Sequence, residues 1–336
     1  MGMTGRITRR SLLIAAALAP AAARAEVREL RISKQFGIGY APMAIMEQLH
    51  LVEAHAKSLG LPDLTVSWLQ LTGGAPTNDA LISGNLDIAT GGVGPLLTIW
   101  ARTRTNLGVR GLAALNSMPL YLNTTDPAVK TVRDFTPQSR IALPAVRISI
   151  QAVTLEMAAA QAFGQAEFNK LDALTVSMGH PDAMAAMLSG HNEINAHFGS
   201  APFQEIELQD PRVHRVLSSF DVLGGPATFN TAWATSRFVQ QNPLVVQAFM
   251  GALEEAEALI RSDPERTARI WSDVEKSRLP PDLIVKIMTN PENVFTTTPQ
   301  NVLKYAAFMA AVGTIKEAPA NWQDLFFDTM HGRQGS

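Results

Sequence analysis

Two hydrophobic periods take turns along the chain. Short runs with alternating or unbroken apolar character read as strands at 30–33, 64–71, 86–89 and 107–115. Between them apolar residues recur at helical spacing. The stretch 42–55 places Met43, Met46 and Leu49 on one face. Breaks rich in glycine and proline separate the runs: Gly37 to Pro42, Thr72 to Pro76, and Gly91 to Pro95. The alternation then repeats, with strands at 140–143, 174–176, 193–198 and 215–217 and helices at 148–163, 181–188 and 202–208. A fourth break runs from His197 to Pro202. This pattern predicts two α/β units with largely parallel sheets, each covered by helices.

The last third differs. Segment 227–235 reads as a strand or an extended crossing, and Gly224, Gly225 and Pro226 before it suit a hinge. Helices follow at 243–261, 264–274, 281–288 and 299–312, each opened by a proline, with a short element near 322–327. A helical tail with no new strand must pack on something already built, so it is expected to return to the first unit. The domains predicted are a first lobe from 26–118 plus 231–336 and a second lobe from 119–230.

The N-terminus changes the picture. Residues 1–25 carry Arg6, Arg9 and Arg10, an apolar run over 12–23 and an Ala23-Arg24-Ala25 ending. They read as a signal peptide cleaved before Glu26, and the paired arginines suit twin-arginine export. The run is too short for a permanent membrane anchor. Among 336 residues there is no cysteine, which removes disulfides, thiolate metal sites, cysteine nucleophiles and lipoprotein anchoring. Loss of four arginines with the leader would take the net charge from −2 to −6, a poor match to nucleic acid or an anionic membrane. The expectation is a periplasmic monomer without cofactor.

In parallel α/β sheets the breaks after strands lie where ligands bind, and helix amino ends there favour anionic or polar groups. Gly73, Gly74, Val93 and Gly94 open such helices. Tyr40 follows the first strand and suits stacking or hydrogen bonding. Asn116 and Ser117 end a strand near the lobe junction, as cleft donors or as a hinge. Arg147 precedes the helix of 148–163, where its guanidinium would fork onto an anion or simply face solvent. Ser149 would donate beside it or cap the helix. His197 and Phe198 end a second-lobe strand, where Phe198 would pack on an apolar part of the solute and His197 would hydrogen-bond it or serve the structure; His180, before Pro181, would reach the cleft, and Phe229 and Asn230 would border the pocket. No metal constellation or nucleophile elbow stands out.

These residues carry a resemblance. LHLVEAHAKSLGL, TVSWLQLTGGAPTNDALISGNLDIATGGVGPLL, VRDFTPQSRIALP and DAMAAMLSGHNEINAHFGSAPF resemble segments of the periplasmic solute-binding proteins of ABC importers for nitrate, taurine and aliphatic sulfonates, a group that also includes binders of thiamine-type pyrimidines. The resemblance implies a type II periplasmic-binding-protein fold whose two lobes, joined by two crossing segments, close over a solute and deliver it to a permease and its ATPase. The sequence departs from the family at 136–139, 144–149 and 197–202, where ligand chemistry is decided. The solute expected is therefore a small organic anion, a sulfonate, carboxylate or similar, without a specific identity. Two other readings stay open: a two-lobed enzyme related to pyrimidine or menaquinone biosynthesis, and a periplasmic sensor partner.

Overall fold

The computed structural model describes Met1 and residues 26–190 and 193–336. The predicted leader lies, Met1 aside, outside the described residues. The first half runs β1 (Glu29–Lys34), α1 (Ala41–Leu49), α2 (Leu51–Ser58), β2 (Thr65–Gln70), α3 (Gly74–Ile82), β3 (Ala89–Gly92), α4 (Val93–Thr103) and β4 (Arg110–Ala114). The chain then builds β5 (Tyr121–Thr124), β6 (Ile141–Leu143), α5 (Ile150–Phe163), β7 (Thr175–Ser177), α6 (His180–Ser189), β8 (Ala196–Phe198), α7 (Phe203–Glu207), β9 (His214–Ser218) and α8 (Ser219–Leu223). It returns through β10 (Asn230–Ala234) and ends in α9 (Ser236–Gln241), α10 (Pro243–Ser262), α11 (Pro264–Val274), α12 (Pro281–Met288) and α13 (Val302–Ala311).

Two sheets result. In the first, β1 pairs with β2, and β10 lies between β3 and β4. A parallel bridge from Ile32 to Ile88 joins these parts. In the second, the order is β7-β6-β8-β5-β9. Each sheet has one antiparallel strand, β10 in the first and β5 in the second. Both are the strands by which the chain enters from the other lobe. The largely parallel sheets expected from the pattern are therefore mixed. A strand that follows a crossing arrives without a covering helix of its own, so nothing forces it parallel.

Some local expectations change for definite reasons. The helix expected over 42–55 is two helices, because His50 takes a left-handed conformation (φ 50°) between them. The bend lets Met46 on one side and Leu51 and Val52 on the other all reach the core. Gly91 and Gly92, read as a turn, lie within β3. A Cβ on Gly91 would sit 2.9 Å from the Trp233 indole, so glycine here makes room for a fully buried ring.

Helices α10 and α11 pack on α1, and α10 also on α2, on the outside of the first sheet. Glu26 anchors the start of β1's approach there: its carboxylate accepts from the N–H groups of Leu244 at 3.0 Å and Val245 at 2.8 Å, at the amino end of α10. Helix α13 behaves differently, because it packs on both α4 and α5. Around it, Asn301 Nδ2 donates to Pro226 O and Lys304 Nζ to Leu223 O, both at 2.6 Å. The tail thus straps the two halves together. Among the described residues no helix is long and apolar enough to cross a membrane.

Candidate functional site

A cavity lies where the two sheets face each other. From the first lobe it is lined by Gln35, Phe36 and Tyr40 after β1, Thr72 and Gly74 after β2, and Gly92 and Pro95 after β3. From the second it is lined by Pro144, Ser149, Ile150 and Gln151 after β6 and by His180 after β7. Phe229, on the returning segment, closes the ring. Every one of these positions lies at or beyond the carboxyl end of a strand or borders the crossing. With the rims in contact, the room left for water-sized molecules is about 20 Å³. That suffices for roughly one water. A solute of more than a few atoms therefore requires the rims to part and close again on it.

The wall is polar but uncharged. Among the described residues no Lys, Arg, Asp or Glu lines the cavity. Positive potential comes instead from helix amino ends. Helix α3 begins at Gly74, α4 follows Gly92, α5 follows Ser149, and α6 begins at His180, all four of which line the cavity. Each end presents N–H groups and the positive pole of its helix. Ser149 accepts from the Ala152 N–H at 3.2 Å, which caps α5 and leaves the Ser149 hydroxyl hydrogen free to donate. The Tyr40 hydroxyl donates to Asn230 Oδ1 at 3.1 Å, and burial pushes its pKa far up, so it remains a neutral donor.

The residues singled out from the sequence fall into three groups. Tyr40, Gly74, Ser149 and Phe229 line the cavity, as does His180. Gly73 and Gly94 sit on the rim, where the lobes touch. A Cβ on Gly73 would lie 3.1 Å from Pro144 O, and one on Gly94 2.8 Å from Ile148 O. The rest stand back. Val93 is fully buried and its N–H is taken by Phe229 O at 3.1 Å. Asn116 is held at the crossing, donating to Gly39 O at 2.6 Å and accepting from the Asn230 N–H at 3.3 Å. Phe198 is core. His197 is fully buried one step behind His180, with His197 Nε2 2.8 Å from His180 Nδ1.

Arg147, expected to fork onto an anion, is not brought to the cavity. Its backbone is left-handed (φ 64°), its side chain is 76% exposed, and its nearest carboxylate is Asp172 at 3.6 Å. The tight turn that lets Ser149 cap α5 turns the guanidinium outward. Gln35, Phe36, Ile150 and Gln151 were missed. Gln151 carried a usable signal, since the second position of a helix that opens onto a cleft places its side chain near that cleft. No metal cluster of three His, Cys, Asp or Glu side chains occurs among the described residues.

Known structures share this fold. The alkanesulfonate-binding protein SsuA from Xanthomonas axonopodis pv. citri, bound to MOPS, superposes with a TM-score of 0.69 at 20% identity, over 88% of this chain and 96% of that one. The fold is that of the periplasmic binding proteins. The periplasmic aliphatic sulphonate binding protein SsuA from Escherichia coli gives 0.66 at 19% identity, covering 92% of this chain and all of the other (100%). The periplasmic nitrate-binding protein NrtA from Synechocystis PCC 6803 gives 0.65 at 16% identity, with 89% and 84% covered. No family model and no curated protein matches the sequence.

Proposed function

We propose that the protein is the exported solute-binding component of an ABC importer, which closes its lobes over a small organic anion and hands it to a permease and its ATPase. One observation carries this reading: a cavity lined by both lobes, onto which four helix amino ends converge and which no Lys, Arg, Asp or Glu among the described residues lines. A solute touching both rims binds the closed form better than the open one, which is what a closing mechanism requires. The helix ends favour an anionic or strongly polar group. Phe36, Ile150 and Phe229 supply apolar surface for an organic body rather than a bare inorganic ion. Among solved proteins of this fold, two are named for binding alkanesulfonate or aliphatic sulphonate and one for binding nitrate. The residues proposed to hold the solute are Tyr40, Gly74, Ser149, Gln151, His180 and Phe229.

A thermal-shift screen of sulfonates, carboxylates and neutral heterocycles tests the proposal. A true ligand at 100 times its Kd raises stability by ~2.7 kcal/mol. Shifts from organic anions are expected. Shifts from neutral heterocycles alone would overturn the anion assignment.

A further inference from the structure

Behind the cleft wall runs a chain of buried polar groups that solute capture by helix ends does not need. Glu207, on α7, is fully buried. One of its carboxylate oxygens accepts from Asn123 Nδ2 at 2.8 Å, and the other is hydrogen-bonded to His197 Nδ1. His197 Nε2 meets His180 Nδ1 at 2.8 Å, and His180 Nε2 meets Gln151 Nε2 at 3.3 Å. Only His180 and Gln151 of this chain line the cavity. The rings are held in place: His180 stacks on Phe203 with centroids 5.6 Å apart.

The chain has a direction. A carboxylate only accepts, so His197 carries its hydrogen on Nδ1. At the other end the Gln151 amide nitrogen can only donate, so His180 Nε2 accepts, the His180 hydrogen lies on Nδ1, and His197 Nε2 takes it. Burial lowers the His180 pKa well below its ordinary value and keeps that ring neutral. Its Nε2 is therefore a lone pair, and it receives the N–H of Gln151. This fixes the Gln151 amide. Its Oε1 has no partner among the described residues and is the atom left for a solute.

We propose that Glu207 acts through His197 and His180 as a positioning residue for the Gln151 amide, so that the cleft selects solutes carrying an N–H or O–H donor beside their acidic group. The inference rests on the solute-binding reading above and narrows its substrate class. Helix ends supply donors for the acidic oxygens; the Gln151 carbonyl supplies the one acceptor that an aprotic anion leaves unused.

Glu207→Gln reverses the chain. Asn123 Nδ2 also donates to Gln204 O at 3.1 Å, so the Asn123 amide cannot turn over. The new side-chain oxygen must face Asn123 and the new NH2 must face His197. His197 Nδ1 then accepts, both imidazoles exchange tautomers, and Gln151 turns its NH2 to the cavity. Two probe pairs read this by calorimetry: 2-hydroxyethanesulfonate against ethanesulfonate, and lactate against propionate. The wild type is expected to favour the hydroxylated member about tenfold, one hydrogen bond's worth. Glu207→Gln is expected to abolish or invert that preference, and the ring 15N shifts of His180 and His197 are expected to exchange between Nδ1 and Nε2. Gln151→Met, on the cavity wall, should lose the preference without moving the tautomers. Binding of both members of a pair equally by the wild type, or a His180 hydrogen on Nε2, overturns the inference alone. Failure of the wild type to bind any of the four anions removes the organic-anion reading and this inference with it.

Discussion

Gly94 is the sharpest place to test closure. It lies in the first turn of α4, and a Cβ there would meet Ile148 O at 2.8 Å, with Ile150 N and Val153 Cγ2 each at 3.4 Å. All three atoms belong to the second lobe. An ordinary carbon–oxygen approach is ~3.3 Å or more, so Gly94→Ala must hold the rims apart by roughly half an ångström. Backbone cannot swing aside as a side-chain tip can, and overpacking of this kind costs about 1–3 kcal/mol. The cost falls on the closed form alone, because in the open form the methyl points into the cleft. Affinity for the solute should therefore drop by about 5- to 150-fold. The ligand-free protein should be unchanged or slightly more stable, since alanine is the better helix former by up to ~1 kcal/mol. Calorimetric titration with the best ligand from the screen, paired with ligand-free melting curves, separates the two effects. Unchanged affinity would refute the idea that this rim contact forms on closure. A ligand-free melting temperature that falls in step with affinity would show that the glycine serves the fold of its own lobe.

Other expectations follow from the same geometry. Glu257 on α10 is buried, its Oε1 has no partner, and burial pushes its pKa up to about 8. A carboxyl whose folded pKa lies above its unfolded value favours folding at low pH, and that contribution is lost as pH rises from about 4.5 through 8. Glu257→Gln should therefore match the wild type near pH 5 and become progressively more stable above pH 6, with a ceiling of about 1.4 kcal/mol per pH unit; parallel melting curves at all pH values would contradict this. Among the described residues Tyr40→Phe removes the only side-chain donor to Asn230 Oδ1 and leaves a buried amide short of partners, since Asn230 Nδ2 already has none there. A loss of about 1–2 kcal/mol in chemical denaturation is expected. Arg147→Ala should leave solute affinity within twofold, because the side chain is exposed and paired outward; a tenfold loss would place it in the closed site after all.

Much of the cleft was legible because its makers are backbone-driven. Breaks such as Thr72-Gly73-Gly74 and Gly91 to Pro95 announce themselves as strand ends that feed helix amino ends, and Ser149 reads as a cap from its position alone. Side-chain chemistry was harder. Nothing in the spacing of His180, His197 and Glu207 pairs them. They meet because β8 lies beside β6, with Ala142 opposite His197, which carries the end of β8 against the start of α6. Arg147 misled for the opposite reason: its residue type suits an anion, while its left-handed backbone, invisible in sequence, turns it away. Gly91 was mistaken for a turn because its use, room for the Trp233 ring, depends on a strand more than a hundred residues later.

The α13 strap limits what evolution can vary independently. Two crossings alone would leave the halves joined at the hinge only; Asn301 and Lys304 add a third tether beside it. Under the proposed solute-binding role, rim side chains can be exchanged, and cargo changed, without disturbing this third point of attachment between the halves.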